Sequence, residues 1–140
     1  MKTLYEAHAS ATGGRNGRVT TDDGIIDLQL ALPKGLGGAG GAAANPEQLF
    51  ACGYAACFDS ALNFIAMQQK IKLTGTRVDA TVGIGPNNAG GFALAVTLQV
   101  AIPDVPREQA QALLEQAHAV CPYSNAVRGN VNVALVLCQA

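Results

Sequence analysis

Residues 45–58 read NPEQLFACGYAACF. Asn45, Pro46 and Gln48 are helix-start residues. They supply an N-cap side chain, a proline whose missing N–H is no loss in the first turn, and a glutamine able to complete a capping box. Beyond them, Leu49 to Phe58 is apolar or small on every face. The stretch predicts one helix from Pro46 to about Lys70, roughly 24 residues or about 36 Å long. A helix that is apolar all round is buried all round. A chain of 140 residues has little else with which to wrap it, so a second copy is expected to help, as a homodimer.

Outward from this helix the chain reads as strands. Residues 3–12 and 17–32 have strand character, and Asp23-Gly24 is a hairpin signal between extended runs. Ile26, Leu28, Leu30 and Leu32 alternate with Asp27, Gln29 and Ala31, the pattern of a half-buried strand. A three-stranded antiparallel meander is predicted. The segment PKGLGGAGGAAA at 33–44 then crosses to the helix. Gly35, Gly37 and Gly40 fit G-x-G-x-x-G, but they follow an antiparallel hairpin and stand well before the helix start. That context does not hold a pyrophosphate.

Downstream, residues 76–85 and 91–103 predict a second hairpin turning at Asn87–Gly91. Phe92, Leu94, Val96, Leu98 and Val100 mark its inward face. Pro106 opens a helix through Val120, and Pro122 restarts the chain with Cys121 as N-cap. Gly129 ends that short helix, and residues 130–138 form a last strand. The fold class is α+β, with antiparallel strands around a long buried central helix, in a single domain over 1–140.

Composition narrows the function classes. Hydrophobic residues make up 49% of the chain, enough for a core, and net charge is −1 without a Lys/Arg cluster. Nucleic acid is not an expected partner. The N-terminus lacks the apolar region of a signal peptide, and no uninterrupted apolar run reaches about 18 residues, so no membrane span is expected. A cytoplasmic location follows as an expectation. Thiols are kept reduced there, which turns Cys52, Cys57, Cys121 and Cys138 towards chemistry, metal or packing and away from a disulfide scaffold.

Five residues on a helix turn about 500°, so Cys52 and Cys57 point about 140° apart and cannot bond to each other. Cys121, at a helix N-terminus, stands where a thiol pKa is lowered. Cys57 lies deep in an apolar helix, where burial raises the pKa, so its reaction requires a cation. Arginine stays charged when buried and has a planar fork. Arg15 and Arg18, in GGRNGR, are the candidates, Arg15 lying among glycines that let the backbone turn sharply. Glu47 is the one acid near the start of the long helix. It favours the helix dipole, but it also suits a buried arginine. Glu47 and Cys57 are ten residues apart, about 15 Å along a helix. Either the helix breaks between them, or Glu47 and Cys57 at one site come from different chains.

TGGRNGR at 12–18, NPEQLFACGYAACF at 45–58 and HAVCPYSNAVRGN at 118–130 together resemble the organic hydroperoxide resistance branch of the Ohr/OsmC family, across essentially the whole chain. The resemblance implies an intertwined homodimeric thiol peroxidase with an OsmC-like fold, without a bound cofactor. It implies Cys57 as peroxidatic cysteine, Cys121 as resolving cysteine, Arg15 holding the thiolate and Glu47 orienting Arg15. It also implies organic, often fatty-acid, hydroperoxides as substrates and dihydrolipoyl groups on lipoylated proteins as electron donors. Leu49, Phe50, Phe58 and Phe92 are the expected apolar pocket. Cys52 is expected to pack in the core, and Cys138 to be in the core or semi-exposed. His118 and Cys121 do not make a closed metal site, and His118 is expected to cap its helix or line the pocket rim. Tyr123, Ser124 and Asn125 are expected to fix the backbone around Cys121, and Arg128 to favour the helix dipole. Two alternatives stand beside this reading: the OsmC branch, with broader peroxide use, and a non-catalytic dimer that binds an apolar ligand.

Overall fold

The computed structural model describes residues 1–138; the last two residues of the expected domain lie outside them. Two three-stranded sheets and a long helix make an α+β fold. The chain divides into two compact units, residues 1–49 and the chain from Phe50 onward.

In the first unit, β1 (Ala9–Thr12), β2 (Arg18–Thr21) and β3 (Asp27–Gln29) pair antiparallel in that order, the expected meander. Val19 stands opposite both Ala11 and Leu28. The turn before β3 closes at Gly24, whose φ of +75° suits only glycine without strain and whose N–H donates to the Thr21 carbonyl. The strands are shorter than the sequence suggests. β2 ends at Thr21, where the turn begins, so β1 has no ladder partner before Ala9. The glycine-rich segment forms one 3-10 turn, Lys34–Leu36, and returns beside Leu30 through a bridge to Ala44.

Helix α1 (Pro46–Gln68) is continuous. Its start is capped by Asn45, whose Oδ1 accepts the Gln48 N–H at 2.9 Å. It stops two residues short of Lys70, which takes a left-handed φ of +56° while the Ile71 N–H reaches back to the Ala66 carbonyl. As expected from the sequence, a single chain does not cover this helix on every side. Tyr54, Phe58, Ala61, Leu62, Ile65 and Ala66 are buried, whereas Cys52, Ala56, Ser60, Phe64 and Met67 are exposed. One chain covers about half of the helix. By length and composition α1 would suffice to cross a bilayer, but its buried face belongs to the core, with Val96, Leu98, Leu113 and Leu114.

In the second unit, β4 (Arg77–Pro86) and β5 (Phe92–Ala101) form the expected hairpin. Asn87 Oδ1 staples its turn by accepting the N–H groups of Ala89 and Gly91. β6 (Asn132–Leu137) pairs parallel to β5, an arrangement the antiparallel reading did not contain. The inward row of β5 holds at Val96, Leu98 and Val100, which are buried, while Leu94 is half-buried and Phe92 is 71% exposed. The reason is register: β6 pairs with β5 only from Ala95 onward, so the turn end of the hairpin projects past the three-stranded part.

The parallel connection runs through α2 (Arg107–Val120) and α3 (Pro122–Val127). α2 buries Ala110, Leu113, Leu114 and Ala117, one helical stripe. Pro106 is its N-cap rather than its first residue. Pro122 occupies the first turn of α3, Cys121 is both C-cap of α2 and N-cap of α3, and Gly129, at φ +81°, follows the end of α3.

Candidate active site

Cys57 sits half-buried on the flank of α1 and Cys121 is fully buried at the α2–α3 junction. The junction is set by Pro122. Proline disfavours helical backbone at the residue before it, and Cys121 is extended, with φ −61° and ψ 123°. The backbone there is nevertheless fully used: the Cys121 N–H donates to the Ala117 carbonyl and its own carbonyl accepts from the Asn125 N–H, both at 2.9 Å. The result is that the Cys121 thiol donates towards Cys57 Sγ at 3.6 Å. A disulfide needs about 2.05 Å, so closing the bond requires a shift of about 1.5 Å.

Burial pushes the Cys57 thiol above its ordinary 9.0, and the Tyr123 backbone N–H offsets part of that rise. A thiol held protonated is a weak nucleophile, and a cation is the usual remedy.

The first unit presents a cation with fixed orientation. Arg15 Nη1 donates to Glu47 Oε2 at 2.8 Å and Nη2 to Oε1 at 2.6 Å, a bidentate pair with side chains 34% and 13% exposed. The Arg15 guanidinium holds the Glu47 carboxyl below its usual 4.5. The glycines around Arg15 are needed. Gly13 and Gly14 have φ of +74° and +60°, and a Cβ on Gly17 would lie 1.7 Å from the Thr12 carbonyl oxygen. Arg18, by contrast, pairs with Asp27 on the exposed meander. Since α1 is unbroken from Pro46 to Gln68, a helix break between Glu47 and Cys57 is ruled out.

The expected pocket residues fall in different places. Leu49 and Phe50 are half-buried, Phe58 is wholly enclosed in the core, and Phe92 is exposed. Phe50 packs edge-on against Tyr54 and Tyr123, with ring centroids 6.2 and 6.1 Å away. The expectation that Cys52 packs in the core is corrected: it lies on the uncovered face of α1 and is exposed, as is Cys138. Among the described residues no group of three His, Cys, Asp or Glu is placed to hold a metal.

The residues around Cys121 do more than shape the backbone. Ser124 is fully buried, and its Oγ lies 2.7 Å from the Tyr54 hydroxyl and 2.9 Å from His118 Nδ1. Arg128 binds the His118 carbonyl oxygen at 2.6 Å and also the Asn125 side chain, so it ties off the end of α2 as well as favouring a dipole. Burial, and then Arg128, lower the His118 pKa. Tyr54 was missed by sequence reasoning. The signal was present, because a tyrosine in a run of small apolar residues brings a hydroxyl into the core, and such a hydroxyl needs a partner. Its neighbour Gly53 makes room for the Tyr123 ring: a Cβ there would come within 2.6 Å of the Tyr123 hydroxyl.

Comparison with known proteins shows the family of the chain. Residues 38–136 match the family model described as OsmC-like protein. The chain is 53% identical over 137 residues to the organic hydroperoxide resistance protein of Xanthomonas axonopodis pv. citri, covering 97% of this chain and 96% of that one. It is 44% identical over 135 residues to the organic hydroperoxide resistance protein OhrB of Bacillus subtilis, covering 96% and 98%. The crystal structure of an organic hydroperoxide resistance protein from Elizabethkingia anophelis, with thiocyanate bound, superposes with a TM-score of 0.96 at 56% identity and full coverage of both chains.

Proposed function

The chain belongs to the OsmC-like family, and from that premise we propose that it confers organic hydroperoxide resistance as a cysteine-based peroxidase. The observation that carries this reading is the 3.6 Å approach of Cys121 Sγ to Cys57 Sγ. The two thiols come from different elements and stand in direct contact, one short shift from a disulfide.

In the proposed cycle the Cys57 thiolate attacks the outer oxygen of ROOH. The O–O bond breaks, the RO⁻ group leaves with a proton as alcohol, and Cys57 becomes a sulfenic acid. Arginine stabilises both the thiolate and the charge developing on oxygen. Cys121 then attacks the Cys57 sulfur, the S–O bond breaks, and hydroxide leaves as water, giving a Cys57–Cys121 disulfide. An external dithiol of the dihydrolipoyl type, carried on a lipoylated protein, restores both thiols by exchange. Each turnover consumes one hydroperoxide and one dithiol, and no bound cofactor takes part.

The arginine in this reading is Arg15, oriented by Glu47. With α1 unbroken, the pair is about 15 Å along the helix from Cys57 of its own chain. The reading therefore has the pair of one protomer serve the Cys57 of its partner in a homodimer. The uncovered apolar face of α1 supports the dimer, and the apolar side chains of Leu49 and Phe50 suit an alkyl or fatty-acid hydroperoxide in the cytoplasm.

Reduced protein treated with one equivalent of cumene hydroperoxide tests the reading, by intact mass and peptide mapping. Loss of two hydrogens with a Cys57–Cys121 linkage is expected. No reaction, or oxidation scattered over Cys52 and Cys138, overturns it in favour of a non-catalytic dimer. Equal rates with hydrogen peroxide and cumene hydroperoxide would favour the broader OsmC-type activity.

A further inference from the structure

Tyr54 and Cys57 are three residues apart on α1, and Cys121 and Ser124 are three residues apart across the start of α3. The Tyr54–Ser124 contact therefore joins the same two elements as the Cys57–Cys121 contact, about one turn away on each. It is a contact between two fully buried side chains, and Ser124 is the one polar residue in the buried core among the described residues.

The hydrogen-bond directions follow from the His118 tautomer. Neutral His118, favoured by burial and by Arg128, accepts at Nδ1 when its proton sits on Nε2. Ser124 has one proton and gives it to Nδ1. Tyr54 then donates its own proton to Ser124 Oγ. Both hydroxyl protons are then used, and the chain Tyr54→Ser124→His118 spans α1, α3 and α2, the three helices that meet at the two thiols.

We propose that Tyr54, Ser124 and His118 are positioning residues for the resolving step, holding Cys121 Sγ on the axis of attack at the Cys57 sulfenic acid. The inference rests on the peroxidase reading. The step it governs forms the S–S bond, breaks the S–O bond of Cys57 and releases water, with the proton coming from the Cys121 thiol. Attack of Cys57 on the hydroperoxide precedes this step and does not need Cys121 in place. The network therefore acts on one phase of the reaction and leaves the other alone, a split that general loss of packing would not produce.

The test is rapid-quench intact mass on full-length protein with cumene hydroperoxide, which follows the oxygen-added and the two-hydrogen-lost species separately. In Tyr54→Phe and Ser124→Ala, closure is expected to slow about fivefold to tenfold, the worth of one buried hydrogen bond. The oxygen-added species should accumulate, while its rate of formation stays within about twofold of wild type. His118→Asn, whose amide oxygen can accept from Ser124, should keep most of the closure rate, and His118→Leu should lose it. If Ser124→Ala fails to fold, Tyr54→Phe, which removes one oxygen from a buried ring, carries the test alone. Closure at the wild-type rate in Tyr54→Phe overturns the positioning role alone. Wild-type protein that yields neither species overturns the peroxidase reading and the positioning role together.

Discussion

Cys121 directs its thiol at Cys57 Sγ across 3.6 Å, although 64 residues separate them in the chain. Of the two, Cys57 is the more accessible and Cys121 is sealed from solvent. That asymmetry suits the roles in the proposed cycle, in which the reachable sulfur meets the substrate and the enclosed one resolves it. Cys121→Ser should therefore still react once with cumene hydroperoxide. Its Cys57 sulfenic acid should persist long enough to be trapped by dimedone, and turnover with a lipoyl dithiol should stop. Cys57→Ser should not react at all. Dimedone labelling of Cys57 that is equal in wild type and Cys121→Ser would contradict this division.

Arg15 makes two parallel hydrogen bonds to Glu47, and lysine cannot reproduce that fork. Arg15→Lys is expected to lower the rate of Cys57 oxidation by about 10²-fold, the cost of losing one oriented donor at developing charge. Because the pair is partly solvated, the loss of stability should be about 1 kcal/mol or less. Stopped oxidation assays together with thermal melts separate the two effects. A variant that melts far earlier but oxidises at the normal rate would speak for a purely structural pair.

Burial raises the Cys57 thiol above 9.0, so the thiolate fraction of an unassisted site grows only at alkaline pH. If Arg15 lowers it in the dimer, the oxidation rate of wild type should level off at lower pH than that of Arg15→Ala. The Arg15→Ala rate should continue to climb beyond about pH 9, the ordinary range of a thiol. Iodoacetamide alkylation against pH gives the same midpoint without peroxide. Identical midpoints in the two proteins would remove Arg15 from the role.

Acid should weaken the fold through two groups that substitution separates. His118 is depressed below its ordinary 6.5 by burial and by Arg128. Its neutral form is thus favoured in the fold, and the associated stability is present above 6.5 and lost as pH falls through the lowered value. Glu47 is depressed below 4.5 by Arg15, so its contribution is present above 4.5 and lost at still lower pH. Melting temperatures of wild type, His118→Asn and Glu47→Gln between pH 7 and pH 4 should show the first loss absent in His118→Asn. The start of the second should be absent in Glu47→Gln.

Tyr54→Phe and Ser124→Ala remove opposite ends of one buried hydrogen bond, and their costs should differ. Tyr54→Phe leaves Ser124 still bonded to His118 and should cost about 1 kcal/mol. Ser124→Ala strands the buried Tyr54 hydroxyl and one ring nitrogen, and should cost about 1–3 kcal/mol. Urea unfolding measures both, and equal costs would mean the stranded hydroxyl finds another partner.

Much of this protein was legible in the sequence because the signals were local. Asn45 and Pro46 started α1 where the capping chemistry required, Asp23-Gly24 and Asn87–Gly91 turned both hairpins, and Pro122 put Cys121 at a helix junction. The glycines of GGRNGR announced a sharp turn, and Gly13, Gly14 and Gly17 make it. In each case a residue acts on backbone within a few positions of itself. Tertiary structure decided the rest. Only packing could place β6 parallel to β5, because strand direction depends on where the intervening helices lie. Register left Phe92 outside the three-stranded part of the sheet, although its period matched the buried row. The apolar character of α1 showed that the helix needs cover, but not which face this chain leaves open, and so Cys52 was placed in the core when it lies on the face a single chain leaves uncovered. Finally, the Tyr54–Ser124–His118 chain joins three helices. No short-range pattern encodes such a contact, since each member meets its partner only after the whole second unit has packed.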